Sequence, residues 1–349
     1  MTDNILQSIY SFTKNYKDPD TNSALDEKND KIQVVEKNGN INIILSVSNK
    51  NLDEYKKIAD LFKNNLDKIE GILSVNVVLT SESQSAQSDQ SDQSESRFKI
   101  NAKNIIAVAS GKGGVGKSTF AVNIAVALGE LGKKVGILDA DIYGPSVPRM
   151  MGISGRPEAS ENKKLIPLES YGIKCMSIGF LVGVDTPTIW RGPMVMKALE
   201  QMFNGVEWGE LDYLIIDLPP GTGDAQLTLA QSSKLSGSII VSTPQDVALT
   251  DARKGINMFK RVNVPLMGLV ENMSYFICDN CNEKHFIFSN DGAKKEAEKF
   301  QIPFLGSLPI DKELRIQSDE GRPACIDNPT GDIAKNYFKI ANNIITSSE

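Results

Sequence analysis

The sequence has few cysteines, no long apolar run and no block of basic residues. Four cysteines in 349 residues do not make a disulfide scaffold, and close cysteine pairs in a reducing cytosol favour metal binding or redox chemistry. No uninterrupted apolar stretch approaches membrane-spanning length, and the first residues contain no basic segment followed by an apolar run. We therefore expect a cytoplasmic protein without a membrane partner.

The overall charge is acidic, and the composition is that of a globular protein. The net charge is −6 and the isoelectric point is near 5.2. This balance, without a dense basic segment, argues against nucleic acid as the main partner. A hydrophobic content of 40% over 349 residues allows one large α/β domain and one small domain.

The most informative segment is rich in glycine. Residues 111–118 read GKGGVGKS, which matches the phosphate-binding pattern G-x-x-x-x-G-K-S/T. The apolar run 105–109 before it predicts a buried strand, and residues 120–131 after it predict a helix. Glycines let the backbone curl around a phosphate chain so that N–H groups point at the anion. The segment therefore predicts a nucleoside triphosphate site.

Within this loop the side chains suggest separate tasks. Lys117 is expected to reach the β- and γ-phosphates, and the Ser118 hydroxyl is expected to hold Mg²⁺. The predicted nucleotide contacts are Gly111, Lys112, Gly113, Gly114, Val115, Gly116, Lys117, Ser118 and Thr119.

Acidic residues at two strand ends complete the predicted nucleotide site. Asp217 ends one apolar run, the position from which an aspartate reaches the Mg²⁺ shell. Asp139 ends another, and we expect it to support the hydration shell of the metal. The glycine-rich segment after Asp217 has the form of a switch, in which the Gly221 amide is placed to sense the γ-phosphate.

Strand and helix patterns alternate after residue 99. This order predicts an α/β fold with a doubly wound, mainly parallel sheet of the P-loop NTPase kind. The predicted strands are residues 105–109, 135–138, 174–178, 213–216, 238–241, 266–270 and 304–306, with helical patterns between most of them, for example at 224–233 and 248–260.

The chain divides at residues 81–97, which are almost wholly Ser, Gln, Asp and Glu. Such a run buries too little surface to offset its ordering entropy, so we expect a flexible linker. We divide the chain into a small domain at 1–80, a linker at 81–98 and an ATPase domain at 99–349.

The small domain is predicted to be α+β. It combines strand patterns at 32–35 and 41–47, a hairpin signal at Asn38-Gly39, a helical pattern at 55–69 and a closing strand at 73–79. Docking of partners and a simple folding or solubility role are equally compatible with this pattern.

Cys278 and Cys281 form a C-x-x-C pair, which supplies only two of the four ligands of a metal centre. Cys175 lies in an apolar strand and is expected to be a core residue, and Cys325 lies in a proline-flanked loop. From the residues alone, zinc fits the pair as well as an iron–sulfur cluster, and a redox dithiol is a third alternative. His285, the one histidine of the chain, follows the pair closely; of a ligand and a solvated loop residue, we favour the solvated residue.

Lys112 is a second lysine in the phosphate loop, and GKGGVGKST resembles the deviant Walker A loop of the family that includes MinD, ParA and the nitrogenase iron protein. The resemblance implies ATP rather than GTP. It also implies catalysis in a sandwich dimer, in which Lys112 reaches the nucleotide of the partner subunit. It further implies that Asp141 orients the attacking water and that Asn272 contacts adenine.

A wider set of motifs, between residues 103 and 323, resembles the Mrp-type (ApbC-like) iron–sulfur cluster carrier ATPases. The motifs are the GKGGVGKST loop, DADIYGPS at 139–146, WRGPM at 190–194, DLPPGTGD at 217–224, ENMSY at 271–275 and the C-x-x-C pair. The resemblance implies a homodimer in which Cys278 and Cys281 of both subunits bind a bridging cluster, expected to be 4Fe–4S. The carrier would pass the cluster to apo iron–sulfur proteins and contact scaffold proteins, with ATP hydrolysis as a conformational switch.

Two other functions are compatible with parts of the sequence. A partitioning or positioning ATPase of the MinD/ParA type predicts a basic patch or a membrane-seeking terminal helix. The tail at 333–344 is weakly amphipathic and carries only Lys335 and Lys339 as cations, so we expect it to pack on the sheet. A zinc or nickel chaperone would use the same two thiolates.

Overall fold

The computed structural model describes residues 2–26, 29, 32–37, 40–47, 51–66, 72, 74–81, 100–181 and 192–348. The chain separates into two compact units, Met1–Gln93 and Ser94–Glu349. Each unit has an apolar core of its own.

The smaller unit has the predicted α+β composition. Its elements are α1 (Thr2–Thr13), β1 (Ile32–Lys37), β2 (Asn40–Val47), α2 (Leu52–Leu66) and β3 (Ser74–Ser81). The sheet order is β1-β2-β3, with β1 and β2 antiparallel and β2 and β3 parallel. Alternate residues of β2 point into the core because side chains alternate along a strand. These buried residues are Ile41, Ile43, Leu45 and Val47.

The larger unit alternates strands and helices. Its strands are β4 (Ala102–Ala109), β5 (Val135–Asp139), β6 (Leu168–Ser170), β7 (Ile173–Ser177), β8 (Leu211–Asp217), β9 (Gly237–Ser242), β10 (Leu266–Glu271), β11 (Phe276–Ile277), β12 (Lys284–His285) and β13 (Phe304–Ser307). Its helices are α3 (Lys117–Glu130), α4 (Val147–Met150), α5 (Gly192–Asn204), α6 (Asp224–Ser232), α7 (Asp246–Arg261), α8 (Gly292–Phe300), α9 (Lys312–Glu320), α10 (Ala324–Asp327) and α11 (Asp332–Ser348).

One sheet of eight strands organises this unit, in the order β13-β10-β9-β4-β8-β5-β7-β6. All neighbouring pairs are parallel except β6 and β7. Strands β5 and β9 are buried along their whole length, as parallel strands are when helices cover both faces of a sheet. The predicted mainly parallel, doubly wound sheet is confirmed.

The order of the central strands brings the predicted nucleotide residues together. Strand β8 lies between β4 and β5. Asp139 and Asp217 are opposite each other in the pairing of β5 and β8, and Asp217 is opposite Val108 in the pairing of β4 and β8. Since ligands of such sheets bind at the carboxyl ends of the strands, this edge is where a nucleotide site is expected.

The C-terminal helix packs as the sequence suggested. Helix α11 contacts α3 and β13, and its buried face consists of Ala334, Tyr337, Ile340, Ala341 and Ile344. Because this apolar face is covered by the protein itself, it does not form a membrane-seeking surface. In the described part of the chain, no helix has the length and apolar character that crossing a bilayer requires.

Several sequence predictions fall on residues outside the described ranges. They are the hairpin turn at Asn38-Gly39, residues 67–69 of the predicted helix, residue 73 of the closing strand, residues 82–98 of the linker, and Trp190-Arg191 of the family motif. The linker and the domain boundaries drawn from it stay predictions.

Candidate functional site

The phosphate loop joins the end of β4 to the start of α3, as the sequence predicts. Gly114 and Gly116 have φ angles of 81° and 82°, in the left-handed region that favours glycine. A Cβ atom on Gly116 would lie 2.2 Å from Asn272 Nδ2, and one on Gly111 would lie 2.2 Å from the backbone carbonyl carbon of Asp251. Glycine is therefore required at Gly114 for conformation, at Gly111 for space, and at Gly116 for both.

Lys117 lies at the centre of the charged groups. Its side chain is only 6% exposed, and its Nζ atom lies 2.6 Å from Asp217 Oδ1 and 4.0 Å from Asp141 Oδ2. The same ammonium donates to Ser118 Oγ at 3.2 Å. The structure thus brings the four residues that were predicted to handle phosphate, Mg²⁺ and water into one place.

The two strand-end carboxyls are fully buried and close to each other. Burial raises the pKa of Asp217, and the neighbouring Lys117 ammonium opposes this rise. Burial, followed by the charge of Asp217, raises the pKa of Asp139. Asp139 accepts hydrogen bonds from the Val147 amide at 3.2 Å and the Ser177 hydroxyl at 3.0 Å. Asp139 therefore holds the start of α4 and the end of β7 against the site.

Asp141 is closer to solvent than the strand-end carboxyls, with 13% of its side chain exposed. Burial raises its pKa, and the Lys117 ammonium opposes this rise. Its backbone N–H donates to Asp139 Oδ1 at 3.2 Å, so the loop that carries Asp141 is fixed by the buried strand end. A partly exposed carboxyl beside the phosphate loop can accept a proton or a hydrogen bond from water.

The donor set fits a divalent cation. Asp217 Oδ2 is buried and has no hydrogen-bond partner among the described residues, although buried oxygens normally have one. Three carboxyls face the one ammonium of Lys117, so a cation would balance their charge. Oxygen donors from a hydroxyl and a carboxylate suit Mg²⁺. Ser118 and Asp217 would hold Mg²⁺ here, which would shield the charge of bound phosphates.

The remaining predicted loop residues lie around this centre. The Gly221 amide, expected to sense the γ-phosphate, donates to the Ser110 carbonyl at 2.9 Å. Thr119 Oγ1 lies 3.9 Å from Met150 Sδ. Lys112 is half-buried, and its backbone carbonyl accepts a hydrogen bond from Ser110 Oγ at 2.9 Å. Val115 is buried under the loop.

Asn272, which follows β10, lies directly against the phosphate loop. Its Nδ2 atom donates to the Val115 carbonyl at 2.8 Å, and its backbone N–H donates to Ser242 at 2.8 Å. The preceding residue, Glu271, is fully buried; it accepts hydrogen bonds from the Ser274 hydroxyl and the Ala293 amide, both at 2.6 Å. Contact of Asn272 with adenine stays a prediction, and its bond to the loop is an additional finding.

The C-x-x-C pair lies on a short hairpin that begins a few residues later. Strands β11 and β12 are antiparallel, and Phe276 is opposite His285. The Cys278 amide donates to the Glu283 carbonyl at 3.0 Å, and the Asn282 amide donates to the Cys278 carbonyl at 2.9 Å. On the other side, the Lys284 ammonium lies 3.5 Å from the centre of the Tyr275 ring, a cation–π contact.

The thiols of the pair differ from the other two in exposure, and the pKa of Cys278 also shifts in the opposite direction to theirs. Cys281 is exposed and Cys278 partly so, whereas Cys175 and Cys325 are buried. Hydrogen bonds from the backbone of Cys281 and then Asn280 lower the pKa of Cys278. Burial raises the pKa of both Cys175 and Cys325. Since thiolates are the metal ligands, Cys278 and Cys281 are the suitable pair.

His285 is exposed, as expected from the sequence, but it is not remote from the thiols. One of its ring nitrogens and the sulfur atoms of Cys278 and Cys281 all lie within 4.8 Å of one another. The sequence interpretation considered His285 as a ligand but favoured a solvated residue, and it did not predict this proximity. The C-x-x-C-x-x-x-H spacing was the available signal, because a tight hairpin at this spacing returns the chain to the cysteines.

One known protein family matches most of this chain. Residues 101–345 match the family model described as ParA, NUBPL iron-transfer P-loop NTPase. The chain belongs to this family. The matched residues include the whole eight-stranded sheet and the hairpin that carries the thiols.

Relatives of this chain are known from plants and bacteria. An Arabidopsis thaliana protein named "Iron-sulfur protein required for NADH dehydrogenase, mitochondrial" is 55% identical over 70% of this chain and 78% of its own length. An Aquifex aeolicus "Iron-sulfur cluster carrier protein" is 52% identical over 68% of this chain and 66% of its own length.

Solved structures also resemble the larger unit. A nucleotide-binding protein from Archaeoglobus fulgidus, in complex with ADP and with cobalt, has a TM-score of 0.59 and 42% identity over 66% of this chain and 90% of its own. The cell division ATPase MinD of Pyrococcus furiosus has a TM-score of 0.52 at 22% identity over 70% of this chain and 99% of its own. The second likeness shows the fold alone.

Proposed function

We propose that the protein is an ATP-dependent iron–sulfur cluster carrier that receives a cluster at Cys278 and Cys281 and transfers it to apoproteins. The observation that carries this proposal is the juxtaposition of two sites on one segment. Asn272 bonds to the phosphate loop, and Cys278 follows six residues later in the sequence. The names of the relatives as cluster carrier or cluster transfer proteins support the same function.

The phosphate loop is proposed to bind MgATP. Lys117 and the loop amides would contact the β- and γ-phosphates, because an ammonium and the N-terminus of α3 both attract anions. Ser118 and Asp217 would hold the metal. The ADP complex of the Archaeoglobus fulgidus relative supports a nucleotide at this position.

Hydrolysis is proposed to depend on Asp141 and Lys112. Asp141, 4.0 Å from the Lys117 ammonium and partly exposed, would orient the attacking water beside the γ-phosphate. Lys112 would reach the nucleotide of a partner subunit in a homodimer. Release of the γ-phosphate would remove a negative charge from the phosphate loop, and the dimer would change its geometry in response.

The cluster is proposed to lie between two subunits. One chain supplies two accessible thiols, and a 4Fe–4S cluster takes four. The same pair from a second chain completes the set when a two-fold axis passes near the hairpins. Four apolar side chains at or next to this hairpin are exposed, which supports a surface that another protein covers. They are Ile277, Phe286, Ile287 and Phe288.

Cluster transfer requires that the ligands be accessible. Cys281 is exposed and Cys278 is partly exposed, so a thiolate of an acceptor can replace them one at a time. The apoprotein acceptors and the scaffold proteins that would supply the cluster are proposed partners of this hairpin.

Anaerobic reconstitution tests the proposal. Iron and sulfide are quantified per chain, and the loaded protein is then mixed with an apo iron–sulfur acceptor with and without MgATP. The proposal expects a brown protein with about two iron atoms per chain, because two chains share four, and activation of the acceptor. A protein that binds zinc or nickel but takes up neither iron nor sulfide would instead indicate a metal chaperone and overturn the proposal.

A further inference from the structure

The cysteine hairpin contains a third side chain able to bind metal. The sulfur atoms of Cys278 and Cys281 and a ring nitrogen of His285 lie within 4.8 Å of one another, all in one chain. Neither the shared four-thiolate site nor the nucleotide site uses this imidazole.

The pairing of β11 and β12 explains why His285 faces the thiols. Phe276 and His285 are directly opposite each other, so their side chains are on the same face of the hairpin. Cys278 follows Phe276 by two residues and therefore shares that face. Lys284 is on the opposite face, where its ammonium lies over the Tyr275 ring. The backbone therefore places imidazole and thiol together without a special side-chain conformation.

The spacing suits one tetrahedral ion. Zinc–sulfur bonds of about 2.3 Å place two sulfur ligands of a tetrahedron about 3.8 Å apart. Donors that already lie within 4.8 Å of one another would have to approach by about 1 Å. Side-chain rotation of exposed residues can provide this movement. Two sulfurs and one nitrogen leave the fourth position open, as in zinc sites that exchange a ligand.

We propose that each chain by itself binds one divalent transition-metal ion of the zinc or ferrous class through Cys278, Cys281 and His285. Binding releases the two thiol protons, and the imidazole donates the lone pair of its unprotonated nitrogen. Water or an incoming ligand takes the fourth position. The site needs no second subunit and no cluster, so it does not rest on the function proposed above.

The chain offers a direct probe because His285 is its one histidine. The tag-free, reduced, nucleotide-free protein is titrated with Zn²⁺, and the imidazole resonances are followed by NMR. A parallel titration with Co²⁺ records the sulfur-to-cobalt charge-transfer absorption and the visible bands of a four-coordinate ion. Both titrations give the number of ions per chain.

His285→Ala is the test variant and Glu283→Ala the matched control. Glu283 holds the Cys278 amide through its backbone carbonyl, which the substitution retains, and its side chain is exposed. We expect one ion per chain, a shift of the imidazole resonances at saturation, and binding by His285→Ala that is weaker by at least about tenfold, since even outer-sphere partners of a metal contribute that much. Glu283→Ala should bind like the parent.

Two results would overturn the inference: one ion per two chains with parental affinity in His285→Ala, or imidazole resonances that do not move at saturation. Cluster uptake and transfer could persist in either case. Conversely, single-ion binding without any cluster transfer would contradict the proposed carrier function and leave this site intact.

Discussion

Lys117 is the residue on which the nucleotide site depends most. Its buried ammonium is paired with Asp217 and lies near Asp141, and it is the group that we propose to contact the phosphates. Because a buried carboxylate without its partner is unfavourable, removal of Lys117 affects both the charge balance and the binding of the anion.

Replacing Lys117 tests whether the two sites are separate. In Lys117→Ala we expect ATP hydrolysis to fall by about 10²-fold or more, since a preorganised donor to the transferring phosphate contributes that much. The thiols should still take up iron, because they lie on the hairpin of β11 and β12 and not in the phosphate loop. Steady-state phosphate release and iron content are measured on the same preparation.

The control for this variant is Lys254→Ala, which removes an exposed lysine paired with Asp251 within α7. It should hydrolyse ATP at the parental rate. Loss of iron uptake together with hydrolysis in Lys117→Ala would show that the two sites do not function separately.

The buried carboxyl of Asp139 predicts a pH dependence of stability. Burial raises its folded pKa above the unfolded value. Ionisation is therefore easier in the unfolded chain, and stability is lost as pH rises from the unfolded pKa through the folded pKa. In Asp139→Asn, which keeps a side-chain oxygen for Val147 and Ser177, the nucleotide-free melting temperature should fall less than in the parent between about pH 4 and about pH 7.

The pKa of Asp212 shifts in the opposite direction to that of Asp139, so Asp212 serves as a comparison. Hydrogen bonds from Lys103 and from the Lys134 amide lower its pKa. The ionised carboxylate therefore stabilises the fold above the unfolded pKa, and this stabilisation is lost as pH falls through the folded pKa. Asp212 is close to solvent, so its effect should be small. Equal pH slopes for Asp139→Asn and the parent would contradict the account of the buried carboxyl.

At the scale of elements, the segment after β10 connects the nucleotide loop to the thiols. Asn272 bonds to Val115 in the loop, and Ser274 and Tyr275 bond through their backbones to Leu308 and Ile310. The hairpin of β11 and β12 follows immediately. A movement of the phosphate loop would therefore reach Cys278 through a short and well-bonded piece of backbone.

Asn272→Ala tests this connection. We expect the hairpin to keep its iron, and the stimulation of cluster transfer by MgATP to fall by about fivefold or more, the size of a typical coupling energy between two sites. Transfer rates with and without MgATP are the measurement. Asn342→Ala, which removes a side-chain bond on the surface of α11, should retain the parental stimulation; unchanged stimulation in Asn272→Ala would contradict the connection.

Sequence patterns predicted the elements that are long and apolar. Strand β8 and helix α3 were predicted because each contains a nearly continuous run of apolar residues, at 213–216 and at 120–128. Strands β11 and β12 have two residues each, too few for a period to show. The bond of Asn272 to Val115 spans 157 residues, and the proximity of His285 to the thiols depends on hairpin pairing. Both require the folded chain.

At the scale of the whole molecule, the proposed homodimer links both sites. One chain supplies two of the four thiolates that a 4Fe–4S cluster binds, and Lys112 is proposed to act on the partner's nucleotide. In Lys112→Ala we expect nucleotide binding to stay within a few-fold of the parent and hydrolysis to fall by about 10²-fold or more, as for a cation supplied in trans. Titration with a fluorescent ATP analogue and phosphate release are the two measurements.

The control is Lys299→Ala, on the exposed surface of α8, which should behave like the parent in both assays. Parental hydrolysis by Lys112→Ala would remove the role of Lys112 across the dimer while leaving the thiol site untouched.

The central claim is that Cys278 and Cys281 hold the cluster while the buried thiols of Cys175 and Cys325 do not. The most direct test is the iron content of the four single Cys→Ala variants after identical anaerobic reconstitution. We predict that Cys278→Ala and Cys281→Ala retain no cluster, because each removes two of the four shared ligands. Cys175→Ala and Cys325→Ala should retain the parental iron content. Full iron content in the first two variants, or its loss in Cys325→Ala alone, would contradict the account.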